Sequence, residues 1–285
     1  MPVVTNRDYQ INYEITRPGK GPTLLLVAGL GEQIGSVEFP DEQCEIFAAE
    51  GFQVVRMDNR ASGLSKAASG TDEASPPFTL LDMADDVAAV IQDLKVGPVH
   101  LLGASLGGFV VRWATLRRPD LVRTLTVVMS GSGAGPGESG PQLDPAVGAA
   151  LMQMTEEMPP SEAVEHGVGL WRFLWGDGYP FEEPWVRERV RHGVERAYRP
   201  KGVLKVLGAI MSAPSLWSEQ TKIVKPTLFV HGENDPCFRF DHAVEAAKQM
   251  RGADIWIDPK MGHIMHREQW PELARRVHRL AERAD

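Results

Sequence analysis

The stretch PVHLLGASLGGFVV, from Pro98 to Val111, decides the fold of this chain. Its first half is a continuous apolar run ending at Ala104, as expected of a strand that is buried on both faces. Its second half begins a helical pattern that stops at Pro119. Between them lies a Gly-x-Ser-x-Gly turn with Ser105 at its centre. Strand, sharp turn and helix in this order expose a serine as a nucleophile, so we predict that Ser105 is catalytic.

The glycines at positions 103 and 107 fit this interpretation because so sharp a turn leaves room only for small neighbours. The helix that starts at the turn directs its first amides and its positive potential toward developing negative charge. A Gly-x-Ser-x-Gly string also occurs by chance, and the alternative is a glycine-rich turn with an idle serine. The flanking strand and helix favour the catalytic interpretation.

Short apolar runs of the same kind alternate with helical patterns along the chain. The runs are TLLLVA at 23–28, FQVVRM at 52–57, TLTVVM at 124–129, PTLFVHG at 226–232 and ADIWIDP at 253–259. The clearest helix has Thr79 as a candidate N-cap and one apolar stripe made of Leu80, Ala84, Val87, Ile91 and Leu94. This alternation predicts an α/β fold with a mostly parallel sheet and helices on both faces. We expect an antiparallel hairpin through Tyr13 at the sheet edge and a last helix from near Pro271.

The alternation stops at 130–141, where SGSGAGPGESGP is too rich in glycine, serine and proline for the interior of a helix or strand. We therefore predict a core domain formed by 1–135 and 221–285, with a helical cap inserted at 136–220. Four of the seven tryptophans lie in the insertion. They and its methionines either fill the cap's own core or contact an apolar substrate. Trp171, Trp175 and Met211, together with Gly29 of the core, are the candidate substrate contacts.

A serine nucleophile needs a base, and the base needs a carboxylate to orient it. Asp235 follows the predicted strand PTLFVHG, and His263 follows the predicted strand ADIWIDP. Sites in open α/β sheets assemble at the carboxyl ends of strands, so we predict that both residues reach Ser105. The competing candidates are His266 and His231 for the base, and Glu233 and Asp258 for the acid.

An oxyanion hole needs two amide donors. The amide of Leu106, directly after the nucleophile, is one candidate. The turn VAGLG after the first buried strand supplies the other, because Gly29 lets the backbone approach closely and Leu30 presents its amide. The alternative for this stretch is an ordinary glycine turn.

Composition excludes several other functions. The 30 basic and 38 acidic residues give a net charge of −8, which argues against nucleic acid as a partner. The longest apolar run is far too short to span a membrane, and the first ten residues do not resemble a leader. Two cysteines, Cys44 and Cys237, favour a reduced cytoplasm, and no His, Cys and carboxylate cluster has metal-ligand spacing. The oligomeric state stays open.

These motifs together resemble the α/β-hydrolase fold family over nearly the whole chain. The turn from Asp58 through Arg60 to Gly63 and Ser65 is similar to the family's D-x-R-x-x-G-x-S pattern, and Met261-Gly262-His263 is similar to its histidine motif. The order serine, aspartate, histidine is also the family's. The resemblance implies an eight-stranded, mostly parallel sheet, a cap after the sixth strand and no cofactor. We expect a buried Asp–Arg pair to brace the loop that carries Asp58 and Arg60.

Within the family, the chain is similar to the branch that contains aclacinomycin methylesterase. The similar features are the glycine turn followed by Phe39-Pro40-Asp41-Glu42, the run VVRMDNRASGLS at 54–65, and the Met-Gly-His motif. The chain departs from the wider family at Ala28, where a histidine often precedes the glycine. Part of the support for this loop must therefore come from other residues.

The combined prediction is a cofactor-independent serine hydrolase that cleaves a carboxylic ester or lactone of an apolar small molecule through an acyl-enzyme. Carbon–carbon bond hydrolysis, acyl transfer and perhydrolysis on the same scaffold are alternatives, since a fold does not determine chemistry. A ligand-binding receptor with negligible turnover is a further alternative from a different class.

Overall fold

The computed structural model describes residues 2–70 and 77–284, so Met1, 71–76 and Asp285 of the predicted core domain lie outside it. In the described residues, nine strands form one sheet, one more than the eight expected, because a short two-residue strand adds to it. They are β1 (Val3–Asn6), β2 (Tyr9–Arg17), β3 (Thr23–Val27), β4 (Gln53–Met57), β5 (Lys66–Ala67), β6 (Val99–Ala104), β7 (Val122–Val128), β8 (Thr227–Gly232) and β9 (Asp254–Asp258).

Eight of these strands form a continuous path in the order β1-β2-β4-β3-β6-β7-β8-β9, and the two-residue β5 pairs with β2. Along this path the pairing is parallel from β4 to β9, whereas β2 pairs antiparallel with both β1 and β4. The predictions of a mostly parallel sheet and of an edge hairpin are confirmed. The parallel register aligns the carboxyl ends of β6, β8 and β9 at one edge of the sheet.

Nine α-helices accompany the sheet in the described residues. They are α1 (Asp41–Ala49), α2 (Leu80–Leu94), α3 (Leu106–Arg117), α4 (Pro145–Met152), α5 (Pro160–Leu174), α6 (Glu183–Ala197), α7 (Pro200–Met211), α8 (Asp241–Gln249) and α9 (Trp270–Glu282). The Thr79 side chain accepts a hydrogen bond from the Asp82 amide, and the Asp82 carboxylate accepts one from the Thr79 amide. This reciprocal capping box explains why α2 begins at Leu80.

Helices cover both faces of the sheet, and β3 shows why. Its residues Leu25 and Val27 pack in a buried cluster with side chains of α2, α3 and α8. Its alternate residues Leu24 and Leu26 belong to a second cluster with α1 and α9. Successive side chains of a strand point to opposite faces, so an unbroken apolar run supplies both cores.

Helices α4 to α7 lie between β7 and β8, and we call them the cap. Their own buried cluster includes Trp171, Leu174, Trp175 and Val186. No helix in the described residues is long and apolar enough to cross a membrane.

The expected Asp–Arg brace exists, but Asp58 and Arg60 have different partners. Asp58 pairs with Arg196 of α6, whose Nη2 lies 2.8 Å from Oδ2. Arg60 makes a two-pronged contact with Asp86 of α2, at 2.8 and 2.6 Å. One pair therefore ties the cap to the core, and the other ties the loop to α2.

Candidate active site

Ser105 lies at the turn between β6 and α3 in a strained backbone conformation, with φ 51° and ψ −116°. The close packing around it explains both glycines. A Cβ atom on Gly107 would lie 2.0 Å from the carbonyl oxygen of Val27, and one on Gly103 would lie 2.3 Å from that of Gly107. These distances are far below van der Waals contact, so neither position accepts a side chain. The strain orients the Ser105 hydroxyl toward the edge of the sheet where β8 and β9 end.

The structure brings Ser105, His263 and Asp235 together in one line of hydrogen bonds. Nε2 of His263 lies 2.9 Å from the Ser105 Oγ, and Nδ1 lies 2.8 Å from Oδ2 of Asp235. All three groups follow strand ends, and the backbone amide of His263 donates to the carbonyl of Leu174 in the cap at 2.7 Å. This geometry suits proton transfer from a hydroxyl to an oriented imidazole.

The Asp235 carboxylate is held from several sides. Its Oδ1 accepts hydrogen bonds from the amides of Cys237 and Phe238, at 2.7 and 2.9 Å. Burial raises the pKa of this carboxyl, but the His263 imidazole and the hydrogen bonds from His231 and His263 outweigh burial. The net effect keeps the pKa of Asp235 below its ordinary value, so the group is a carboxylate at neutral pH.

His231, one of the competing candidates, also contacts the acid. Its Nε2 lies 3.1 Å from Oδ2 of Asp235 and 2.8 Å from the carbonyl of Phe238. The other three competitors have different surroundings. His266 packs edge to face against Trp175 in the interior, and burial lowers the pKa of its imidazole to about 4. Asp258 caps the turn after β9, and Glu233 is exposed.

The amides of Leu30 and Leu106 donate to no protein acceptor in the part of the chain that the structure describes. Both residues line the same cavity as Ser105, so their free N–H groups are available to a substrate oxygen. The amide of Gly29, by contrast, donates to Oε2 of Glu38 at 2.6 Å. The Asn59 side chain donates to the carbonyl of Ala28 at 2.7 Å. These two contacts support the loop that departs from the family at Ala28.

Two carboxyl groups beside this loop, the buried Glu38 and the half-buried Glu32, were missed by the sequence reasoning. Glu32 accepts a hydrogen bond from the amide of Glu38 at 2.9 Å, and both side chains line the cavity. Burial raises the pKa of Glu32 and, together with the Glu32 charge, raises the pKa of Glu38 to about 8. The available signal was Glu38 itself, an acidic residue between Val37 and Phe39 in a stretch otherwise fit for burial.

Ser105 and His263 open into a mainly apolar cavity of about 810 Å³ between the core and the cap. Trp171 and Met211 line it, as predicted for substrate contacts. Trp175 is not among the lining residues because it is buried between the cap and the core, where its ring contacts His266 and its Nε1 donates to the carbonyl of Pro180 at 3.1 Å. Gly29, the other predicted contact, does not line the cavity either. In the described residues, no cluster of three or more His, Cys, Asp or Glu side chains could hold a metal ion.

Comparison with known proteins agrees with the fold. The family model described as alpha/beta hydrolase fold matches residues 22–268. Rhodomycin D methylesterase DnrP of Streptomyces peucetius is 27% identical over 263 residues, which cover 87% of this chain and 86% of that protein. Rhodomycin D methylesterase DauP of Streptomyces sp. (strain C5) is 29% identical over 264 residues, with the same coverage. The solved structure of the esterase EaEST from Exiguobacterium antarcticum has a TM-score of 0.79 at 18% identity and covers 98% of both chains, which shows likeness of fold.

Proposed function

Because this chain belongs to the α/β-hydrolase fold family, we propose that it is a serine hydrolase that cleaves a carboxylic ester of an apolar small molecule without a cofactor. The observation that carries the proposal is the line from the Ser105 Oγ through His263 to Asp235, with contacts of 2.9 and 2.8 Å, in the wall of the apolar cavity. Similarity to two methylesterases supports an ester as the bond that is cleaved.

In the proposed reaction, the Ser105 Oγ bonds to the ester carbonyl carbon while His263 Nε2 takes the hydroxyl proton. Asp235 orients the ring through Nδ1 and stabilises the imidazolium. The amides of Leu30 and Leu106 stabilise the negative oxygen. The tetrahedral intermediate then breaks the bond to the alcohol, which takes the proton from His263. Water repeats the sequence on the acyl-enzyme, so the carboxylic acid leaves and Ser105 regains its proton.

The cavity supports an apolar acyl or alcohol group as the substrate. Aromatic and aliphatic side chains dominate its lining, including Phe109, Trp113, Trp171 and Phe238. A volume of about 810 Å³ is in the range of sites for drug-sized molecules. A methyl ester of a polycyclic or other bulky apolar acid therefore fits the proposal, and a lactone is a further substrate of the same chemistry. The free, buried Cys44 and Cys237 support the cytoplasm as the proposed compartment.

The experiment that tests the proposal combines an active-serine label with ester turnover. Wild-type protein and Ser105→Ala are incubated with a fluorophosphonate and, separately, with a panel of aryl and methyl esters. We expect labelling and turnover in the wild type and neither in Ser105→Ala. Ser212→Ala is the matched control, since Ser212 is exposed and bonds locally to the carbonyl of Gly208. Retained labelling of Ser105→Ala would show that another serine reacts and would refute the proposal.

The same assay separates the alternatives on this scaffold. Added alcohol or hydrogen peroxide competes with water for the acyl-enzyme, so product ratios show whether transfer or perhydrolysis dominates. Cleavage of a diketone but of no ester would indicate carbon–carbon bond hydrolysis. A receptor would turn over no substrate and would instead be stabilised against unfolding by an apolar ligand.

A further inference from the structure

We propose that Glu38 positions the oxyanion loop, residues 28–31, and that loss of its proton slows the reaction at Ser105. This inference rests on the proposed function, because it concerns the rate of that reaction. Its basis is the placement of a buried carboxyl group between the loop amide and the nucleophile.

The hydrogen bond between Gly29 and Glu38 fixes the direction of the loop. The Gly29 amide donates to Oε2 of Glu38 at 2.6 Å, so this amide is engaged and cannot turn to the substrate. The next amide, that of Leu30, is free and lines the cavity. Glu38 is itself fixed, because its own amide donates to Oε2 of Glu32 at 2.9 Å. The Ser36 hydroxyl lies 2.6 Å from the same oxygen. Glu38 thus holds the loop at Gly29, and Glu32 holds Glu38.

The second carboxyl oxygen of Glu38 lies close to the nucleophile. A Cβ atom built on Gly29 would be 2.9 Å from Oε1 of Glu38 and 3.2 Å from the Cβ of Ser105. Oε1 of Glu38 and the Cβ of Ser105 therefore lie on the same side of Gly29. Since Oε2 accepts the amide hydrogen, Oε1 carries the proton when the group is neutral. When that proton is lost, the negative charge is shared by both carboxylate oxygens, and Oε1 places part of it on the side of Ser105, where the transition state also becomes negative.

No lysine or arginine bonds to the Glu38 carboxyl within the part of the chain that the structure describes. The lining of the cavity includes no lysine or arginine, and its other titratable side chains are Glu32, Cys237, His242 and His263. The nearby Arg56 of β4 donates to the carbonyl of Phe39, and its charge is paired with Glu14 and Asp41. Burial and the Glu32 charge keep Glu38 protonated at neutral pH by raising its pKa to about 8. Glu38 is therefore mostly neutral at pH 7 and ionises at mildly alkaline pH.

Two substitutions distinguish the effect of the Glu38 charge from the effect of its hydrogen bond to Gly29. In Glu38→Gln, the amide oxygen still accepts from Gly29, but the side chain cannot ionise. In Glu38→Met, the acceptor is lost and the loop amide has no partner. Glu45→Gln is the matched control, because Glu45 is an exposed acid of the same segment that pairs with Arg17.

The test is the rate of labelling by a fluorophosphonate from pH 6 to pH 10, a reaction that needs Ser105, His263 and the oxyanion hole but no particular acyl group. We expect the wild-type labelling rate to fall by about tenfold above pH 8, because an ionised Glu38 beside Ser105 repels the oxyanion. A tenfold fall corresponds to about 1.4 kcal/mol, which is within the repulsion of two neighbouring charges at intermediate dielectric. Glu38→Gln should keep its rate constant across that range, and Glu45→Gln should follow the wild type.

Glu38→Met should label about tenfold more slowly at pH 7, where the wild type is neutral, because a misdirected donor weakens oxyanion stabilisation. If Glu38→Met does not fold, the Glu38→Gln profile decides alone. Identical pH profiles for wild type and Glu38→Gln would overturn the inference while leaving the proposed function intact. Absence of labelling in the wild type at every pH would instead refute the proposed function, and this inference with it.

Discussion

The ion pair between Asp58 and Arg196 offers the most direct test of how the cap is held on the core. The Asp58 side chain is fully buried and Arg196 is 10% exposed. Asp58 accepts hydrogen bonds from the amides of Ile34 and Leu64 and from the Asn12 side chain, at 2.8 to 2.9 Å. The two terminal nitrogens of Arg196, Nη1 and Nη2, also donate to Asp58, at 3.2 and 2.8 Å. One carboxylate therefore joins β2, two loops and α6.

The expected magnitude follows from what each substitution leaves behind. Arg196→Met removes the cation but leaves Asp58 with its three uncharged donors, so we expect a loss of about 2–3 kcal/mol in the free energy of unfolding. Asp58→Asn leaves the arginine without its carboxylate and presents an amide NH₂ to groups that are themselves donors. We expect that loss to reach about 3–5 kcal/mol. The loss of unfolding free energy in the double variant should be smaller than the sum of the two single losses by about 2 kcal/mol.

Urea unfolding at pH 7, followed by tryptophan fluorescence and far-ultraviolet circular dichroism, measures this coupling. The control cycle uses Glu165 and Arg187, an exposed pair that joins α5 to α6 within the cap. Exposed pairs contribute little, so that cycle should show no coupling. If the Asp58 cycle shows as little coupling as the control, the pair does not tie the cap to the core and the reasoning is refuted.

Three further outcomes are expected from the same physical arguments. Gly107→Ala should lower the free energy of unfolding by about 3 kcal/mol or prevent folding, because its Cβ would overlap a strand carbonyl, whereas Gly208→Ala, with open space around it, should not destabilise. Asp235→Asn should lower kcat by about 10⁴-fold with an unchanged circular dichroism spectrum, since the imidazole loses its orienting acceptor. Glu38→Gln should become more stable than the wild type as pH rises. The folded-state pKa of Glu38 is raised from about 4.5 to about 8, so the wild type loses stability as pH rises through this interval, whereas Glu38→Gln does not. The difference in Tm between the two proteins should therefore grow from pH 5 to pH 9. An equal Tm difference at the two pH values would contradict this last expectation.

Much of the fold could be predicted because the signals are local. The run at 98–104 is mostly apolar, and its flanking turn signals favour a strand buried between two layers of helices, which β6 is. Thr79 predicted the start of α2 for a similar reason, since an N-cap bonds to a residue only three positions away, here Asp82. The two-residue β5 was not predicted, because so short an element pairs through its backbone and leaves no periodic pattern.

The partners of charged residues could not be predicted in the same way. Asp58 and Arg60 are two positions apart, yet they pair with residues 138 and 26 positions away in the chain. The role of Glu38 was equally hidden, because a glutamate in sequence is normally a solvated residue. Only burial next to Gly29 and Glu32 changes its chemistry. Ser105, Asp235 and His263 were predictable since each follows a strand end, which topology alone places at one edge.

The way His263 is held restricts how a substrate can reach Ser105. The His263 amide donates to the carbonyl of Leu174 at the end of α5, at 2.7 Å. Directly before it, Gly262 packs against the cap so closely that a Cβ atom would lie 2.1 Å from the carbonyl oxygen of Trp175. A movement that separated α5 from this loop would therefore withdraw the imidazole from the hydroxyl that it must deprotonate. Met152 of α4 and Ile210 and Met211 of α7 also line the cavity, and they are exposed. Because the proposed catalysis requires the contact at α5 to persist, we expect a substrate to enter past these three side chains, two of which are flexible methionines.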